Sequence, residues 1–182
     1  MTRTANITQP VYTIGHSTRA LPELAALLRE SAIEVVADVR AIPRSRTNPQ
    51  FNLDVLPGSL EEFGIGYQHF PELGGRRHHP RGAPPSPNTF WSNESFRNYA
   101  DYAATGDFKV GFVRLRELAA RERCAIMCSE AVWWRCHRRI ISDYLLAQGI
   151  PVMHIMGPGK VDAATPTPNA EPVGDGTLVY RS

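Results

Sequence analysis

Apolar runs alternate with apolar stripes at helical spacing along most of this chain. Val11 to His16 reads as a strand, and Leu21, Leu24, Leu27 and Leu28 then recur at helical spacing, with Pro22 and Glu23 suited to a first turn. Glu34 to Val39 is a second strand, Val-rich and continuous as a buried parallel strand should be. Thr47 to Gly64 predicts a loop with a short helix around Leu56 to Phe63, and Gly66 to Phe70 is a weaker strand. The four prolines Pro80, Pro84, Pro85 and Pro87 make residues 80 to 92 a loop. Phe96, Tyr99, Ala100 and Ala103 form one helical stripe, and Phe108, Phe112, Leu115, Leu118 and Ala119 form another.

The stretch 124 to 139 organises the rest. Cys124 to Cys128 reads as a short buried strand, followed by a turn at Ser129 and Glu130. A helix is expected to begin near Trp133 or Trp134, carrying Cys136, His137, Arg138 and Arg139 in its first turns and continuing through Ile140, Ile141, Tyr144 and Leu145. Gln148-Gly149 stops it, and Pro151 to Met156 is the last strand. Strands joined by helical connections predict one α/β domain over residues 1–156, a three-layer α/β/α sandwich with a mainly parallel sheet. Residues 1 to 10 are polar and expected to fray. From Gly157 the chain turns rich in Pro, Gly, Thr and Ala, so residues 157–182 read as a disordered or loosely docked tail, with Thr177 to Arg181 a weak added strand.

In a parallel sheet the carboxyl ends of the strands share one edge, where ligands of open α/β sheets bind. That edge gathers Gly15-His16-Ser17, Asp38-Val39-Arg40, Tyr67-Gln68-His69, Cys128-Ser129-Glu130 and His154. Cys128 reads as a nucleophile or redox thiol activated by His137, Arg138 or His16, as a metal ligand, or as a small buried residue. Glu130 is a general acid or base, an acceptor for a ligand hydroxyl, a helix-start charge or an ion-pair partner of Arg138, and His16 and His137 are the other catalytic candidates. Ser17, Asp38, Arg40, Tyr67 and Arg138 are ligand-binding candidates; Ser17 is otherwise a helix cap, and Asp38 and Arg40 share a side, where the alternative to ligand contact is pairing with each other. Cys136 falls at helical spacing with Ile140 and Tyr144, which favours burial, with a resolving thiol for Cys128 as its other role. Together Cys128, Cys136 and His137 make a third reading, a metal site.

Composition adds one bias. The chain has 182 residues, 42% hydrophobic and a net charge of +2, which names no partner. Of its 20 basic residues only Lys109 and Lys160 are lysines. Arginines cluster after strand ends, as Arg40, Arg44 and Arg46, then Arg76, Arg77 and Arg81, then Arg135, Arg138 and Arg139. Converging, they favour a small anionic ligand or nucleotide, or a nucleic-acid backbone with Trp91, Trp133 and Trp134 stacking on bases. No Walker loop, GxGxxG or zinc-ribbon spacing is present, and His78-His79 in a Pro-rich loop is a poor metal motif. Three unevenly spaced cysteines, no apolar leader and no bilayer-length run point to a cytoplasmic protein without a membrane partner.

Several stretches resemble the domain-of-unknown-function family 488 (DUF488). They are Tyr12-Thr13-Ile14-Gly15-His16-Ser17, Asp38-Val39-Arg40 with Pro43 and Ser45, Phe63 to Tyr67 leading into Leu73-Gly74-Gly75, and Cys128-Ser129-Glu130 with Cys136-His137-Arg138. The resemblance covers about residues 11 to 156 and implies an α/β fold, with no activity or cofactor to carry over. The Pro-rich loop at 80 to 92 and the segment after 156 are where the chain departs from it. The leading expectation is therefore an enzyme-like protein acting on a small anionic or nucleotide-like ligand. A nucleic-acid or partner-binding module, and a metal protein, are the alternatives.

Overall fold

The structure, a computed structural model, describes residues 7–182; the expected fraying of the first residues falls largely outside that range. Strands β1 (Val11–Gly15), β2 (Val35–Asp38), β3 (Gly66–His69), β4 (Cys124–Cys128) and β5 (Val152–Gly157) run parallel in one sheet. β6 (Lys160–Ala163) closes its edge antiparallel, giving the order β3-β2-β4-β1-β5-β6. The central strands β1, β2 and β4 are buried at every position, which explains their unbroken apolar runs.

Side-chain alternation splits the core into two layers. On one face Tyr12, Ile14, Val36, Ala125 and Met127 pack against α1 (Leu21–Glu30) and α2 (Leu56–Glu61) through Leu24, Leu27, Leu28, Leu56 and Leu60. On the other, Ala37, Ile126 and Cys128 meet α3 (Glu94–Tyr102), α4 (Gly106–Arg121) and α5 (Arg138–Ala147) through Tyr99, Phe108, Leu115, Ile141 and Leu145. This is the three-layer α/β/α arrangement with a mainly parallel sheet. The helix expected from Trp133 is shorter: Trp133–Arg135 is a 3-10 turn, Cys136 is extended, and α5 starts at Arg138. That extended residue swings the Cys136 sulfur back towards the sheet instead of along a helix face.

Residues after 157 do not form a loose tail. Gly159, with φ +67, turns β5 into β6, and Gly174 and Gly176, with φ +46 and +85, turn β7 (Ala170–Val173) into β8 (Thr177–Tyr180). The Gly and Pro content that reads as disorder is hairpin chemistry. Leu178 and Tyr180 sit in the core beneath α5. The Tyr180 hydroxyl donates to Asp143 (2.9 Å), its backbone N–H to Asn88 (3.0 Å), and the Tyr144 hydroxyl accepts from the Leu178 N–H (3.1 Å).

The hairpin should therefore contribute to global stability. Truncating a buried aromatic costs about 3–5 kcal/mol, and each kcal/mol moves the melting temperature of a chain this size by about 2–4 °C. Tyr180→Ala should lower the melting temperature by roughly 10 °C by calorimetry, whereas a change under about 2 °C would mean that the hairpin is only loosely attached.

Candidate functional site

β1 and β4 lie side by side with Gly15 opposite Cys128. β1 leads to α1 on one face of the sheet, and β4 leads to α5 on the other. Adjacent strands whose connections part in this way open a crevice at their carboxyl ends. The two loops are stitched together there: the His16 N–H donates to the Cys128 carbonyl (2.9 Å), and the Ser17 N–H to the Ser129 carbonyl (3.0 Å). Gly15 permits this approach, since a Cβ would stand 1.8 Å from the Glu130 carbonyl oxygen. Ser17 takes a left-handed φ of 49° and does not cap α1, whose N-cap is Ala20.

Cys128, Cys136 and His137 form the floor of this crevice. His137 Nε2 donates to the Val39 carbonyl (2.9 Å), so in the neutral ring Nδ1 keeps its lone pair. That atom lies 3.9 Å from Cys128 Sγ and 3.7 Å from Cys136 Sγ. Gly75 presses on the imidazole, where a Cβ would come within 2.5 Å of Nδ1, and the Tyr99 ring packs at 4.9 Å between centroids.

Beside the sulfurs lies Arg138, only 1% exposed. Its Nε and backbone N–H both point at Cys136 Sγ, at 3.3 and 3.4 Å. Its other nitrogens donate to the Glu130 carbonyl (2.7 Å) and the Thr13 hydroxyl (3.4 Å). Among the described residues no carboxylate pairs with it; the Glu130 side chain is exposed, so the expected Arg138–Glu130 ion pair is instead a bond to the Glu130 main chain. Burial opposes ionisation of Cys136, but the bond from Cys128 and the charge and N–H groups of Arg138 outweigh it and lower this thiol. The bond to Cys136, and then burial, push Cys128 the other way. A reactive thiol is one of the three sequence readings of Cys128; in the structure the surroundings lower Cys136 and raise Cys128.

A second buried arginine stands across the crevice. Asp38 accepts from Arg40 Nε (2.9 Å), Nη2 (2.7 Å) and backbone N–H (3.1 Å), and from the Tyr67 hydroxyl. Arg40 also donates to the Phe51 carbonyl (2.7 Å) and to His16 Nε2 (3.3 Å). His16 Nδ1 donates to the Ser17 carbonyl (2.8 Å), and its ring stacks on Phe51 at 4.2 Å. Asp38 and Tyr67 thus orient Arg40 from behind, while Arg40 and His16 reach the crevice.

Above the floor opens a cavity of about 410 Å³. Arg44, Arg76 and Arg135 stand on its wall, all exposed, and none has a carboxylate partner among the described residues. Glu130 is the single acid lining it. Ser17 lines a smaller adjoining recess that shares His16, Asn48, Ser129 and Glu130. Other arginines are used structurally: Arg77 lies 3.6 Å over the Tyr102 ring, and Arg139 lies over Trp91 at 4.9 Å and bonds Thr167. The tryptophans are mostly committed as well. Trp91 stacks on Phe96 and Trp133 on His154, while Trp134, edge-on to Trp133 at 5.6 Å, is 46% exposed and lies outside the cavity lining. Thr13 and Gly75 fall in family-like stretches of the sequence but, like Asn48, are not among its site candidates; the Gly74-Gly75 pair is the available signal, because Gly74 too has no room for a Cβ, which would come within 2.6 Å of Ala41.

Fold and crevice define an α/β protein with an arginine-lined cavity at the carboxyl ends of its parallel strands. The chain belongs to the family described as Domain of unknown function DUF488, whose model matches residues 20–145. That span holds β2, β3, β4 and the whole sulfur floor, while Gly15-His16-Ser17 precedes it. No curated protein and no solved structure matches the chain. Among the described residues no helix is long and apolar enough to cross a membrane.

The two buried histidines give a pH prediction. Burial first, then Arg40, lowers His16 to about 4; burial and Arg138 lower His154 to about 4. Unfolded imidazoles titrate near 6.5, so the unfolded chain binds protons that the folded chain refuses as pH falls below that value. Stability should decline between about pH 6.5 and 4. Nitrogen chemical shifts should show both rings still neutral at about pH 5.5, and a titration of either ring near 6.5 would contradict the burial argument.

Proposed function

We propose that the chain is an enzyme-like protein that takes a small anionic or nucleotide-like ligand into the cavity at the ends of β1, β2 and β4. The observation that carries this reading is the trio Arg44, Arg76 and Arg135, unpaired guanidinium groups on the wall of one cavity with a single facing acid. Exposed arginines without partners cost little in water and gain most when a carboxylate or phosphate arrives, because their planar fork binds two oxygens at once. The cavity volume lies within the ordinary range for small-molecule sites. Across it, Arg40 is already paired with Asp38, so the free charge of the cavity comes from the three exposed arginines.

The floor supplies the chemistry. A ligand drawn in by the arginines meets Cys136 and Cys128 beneath it, with His16 and His137 beside them. That arrangement presents sulfur to the bound anion, and it suits an enzyme better than a passive module. A nucleic-acid surface would need a broad stacking face, and Trp134 alone among the tryptophans is exposed enough to offer one.

Inorganic pyrophosphate is a direct probe. It should bind by calorimetry with an affinity that falls as salt rises. Losing one charge-assisted bond costs about 1.5–3 kcal/mol, so Arg76→Ala should weaken binding by about tenfold or more. Arg76→Lys should recover only part of that loss. Absence of binding by pyrophosphate, phosphate and adenosine monophosphate alike, or equal affinity in the Arg44→Ala/Arg76→Ala/Arg135→Ala variant, would overturn the reading.

A further inference from the structure

The sulfur floor has a geometry that thiol chemistry alone does not require. Cys128 Sγ, Cys136 Sγ and His137 Nδ1 all lie within 4.8 Å of one another. Each sulfur faces the same ring nitrogen, at 3.9 and 3.7 Å. A tetrahedral zinc with Zn–S of about 2.3 Å and Zn–N of about 2.0–2.1 Å places its sulfur and nitrogen ligands roughly 3.5 Å apart. The two sulfur–nitrogen distances therefore need to close by only a few tenths of an ångström around a common ion, and the two sulfurs start no more than 4.8 Å apart.

The surroundings of the donors match a metal site as well. Nδ1 can ligate only if Nε2 holds the proton, and the Val39 carbonyl fixes that tautomer from 2.9 Å. A backbone carbonyl or carboxylate behind the ligating imidazole is the usual outer shell of a histidine metal ligand. Gly75 and Tyr99 clamp the ring so that it cannot turn away. Cys136 Sγ receives two N–H groups of Arg138, a bonding pattern that stabilises a thiolate ligand.

We infer that Cys128, Cys136 and His137 bind one divalent transition-metal ion of the thiolate- and imidazole-preferring class, zinc foremost, with its remaining coordination position open to the arginine-ringed cavity. Two thiolates and an imidazole select zinc, cobalt or iron over magnesium and calcium. No fourth Cys, His, Asp or Glu joins the three among the described residues, and all three line the cavity. Three protein ligands with one open position is the pattern of a reactive zinc site, whereas structural sites are closed by four. The inference does not depend on the ligand being anionic, but an ion there would give an incoming oxyanion a direct partner.

Cobalt(II) reports the coordination directly. The reduced full-length protein should bind one cobalt(II) per chain, with sulfur-to-cobalt charge-transfer absorption in the near ultraviolet and intense tetrahedral bands in the visible; zinc should displace both. Cys128→Ser and Cys136→Ser should each weaken the sulfur band. Gly75→Ala, which pushes on the ring without removing a donor, should weaken cobalt affinity by about 10–100-fold, as expected for outer-shell disturbance. Wild-type protein that binds cobalt or zinc substoichiometrically, or shows octahedral bands without the sulfur absorption, would overturn the site whatever the variants do. So would retention of the full sulfur band in both serine variants. Pyrophosphate binding by metal-free protein is unaffected by either failure, so the two proposals fall separately.

Discussion

Arg138 is a guanidinium sealed inside the protein without a carboxylate, and the architecture of the cavity floor follows from how that charge is met. Burying an unpaired cation costs on the order of several kcal/mol. Here the cost is offset by a carbonyl, a hydroxyl and above all the Cys136 sulfur, which receives both Nε and the backbone N–H. A neutral thiol would be a weak acceptor for two donors. The arrangement is better satisfied when the sulfur carries charge, and Arg138 accordingly lowers the Cys136 thiol against the opposing effect of burial.

The comparison with Arg40 makes the point sharper. Both arginines are buried and both bond to a backbone carbonyl, Arg40 just after β2 and Arg138 at the start of α5, but only Arg40 lines the cavity. Arg40 has Asp38 in a two-pronged pair, backed by Tyr67, and is spent on structure. Arg138 has sulfur in place of that carboxylate. One cation ties together His16 after β1 and Phe51 after β2, and the other faces the Cys136 sulfur. Gly15 and Gly75 make both possible by letting loops close in where a Cβ would collide.

The fold was legible in the sequence because its determinants are local and repetitive. Continuous apolar runs at β1, β2 and β4 can only be strands buried on both faces, and the stripes in α1, α4 and α5 give their faces away. The end of the chain was misread because composition cannot tell a glycine that turns a hairpin from one in a flexible linker; Gly159, Gly174 and Gly176 are of the first kind. The edge on which the site sits was also legible, since it follows from parallel strands. Which cysteine matters was not. A helical register put Cys136 on a packing face, but the bulky Trp133-Trp134 pair forms a 3-10 turn and Cys136 is extended after it. Only the three-dimensional path brings that sulfur under Arg138 and beside Cys128. Likewise the partnership of Asp38 with Arg40 was one of two options in the sequence, and packing decided it.

Residue-resolved alkylation across a pH range tests this account most directly. In reduced, metal-free protein, iodoacetamide uptake at each cysteine would be followed by mass spectrometry as pH rises. Cys136 should label first, with a midpoint below the ordinary thiol value of about 8.5, while Cys128 and Cys124 stay unreactive to much higher pH; Arg138→Met should move the Cys136 midpoint upward. Labelling of Cys128 ahead of Cys136, or a Cys136 midpoint unmoved by removal of the guanidinium, would contradict the claim that Arg138 holds a thiolate at the floor of the cavity.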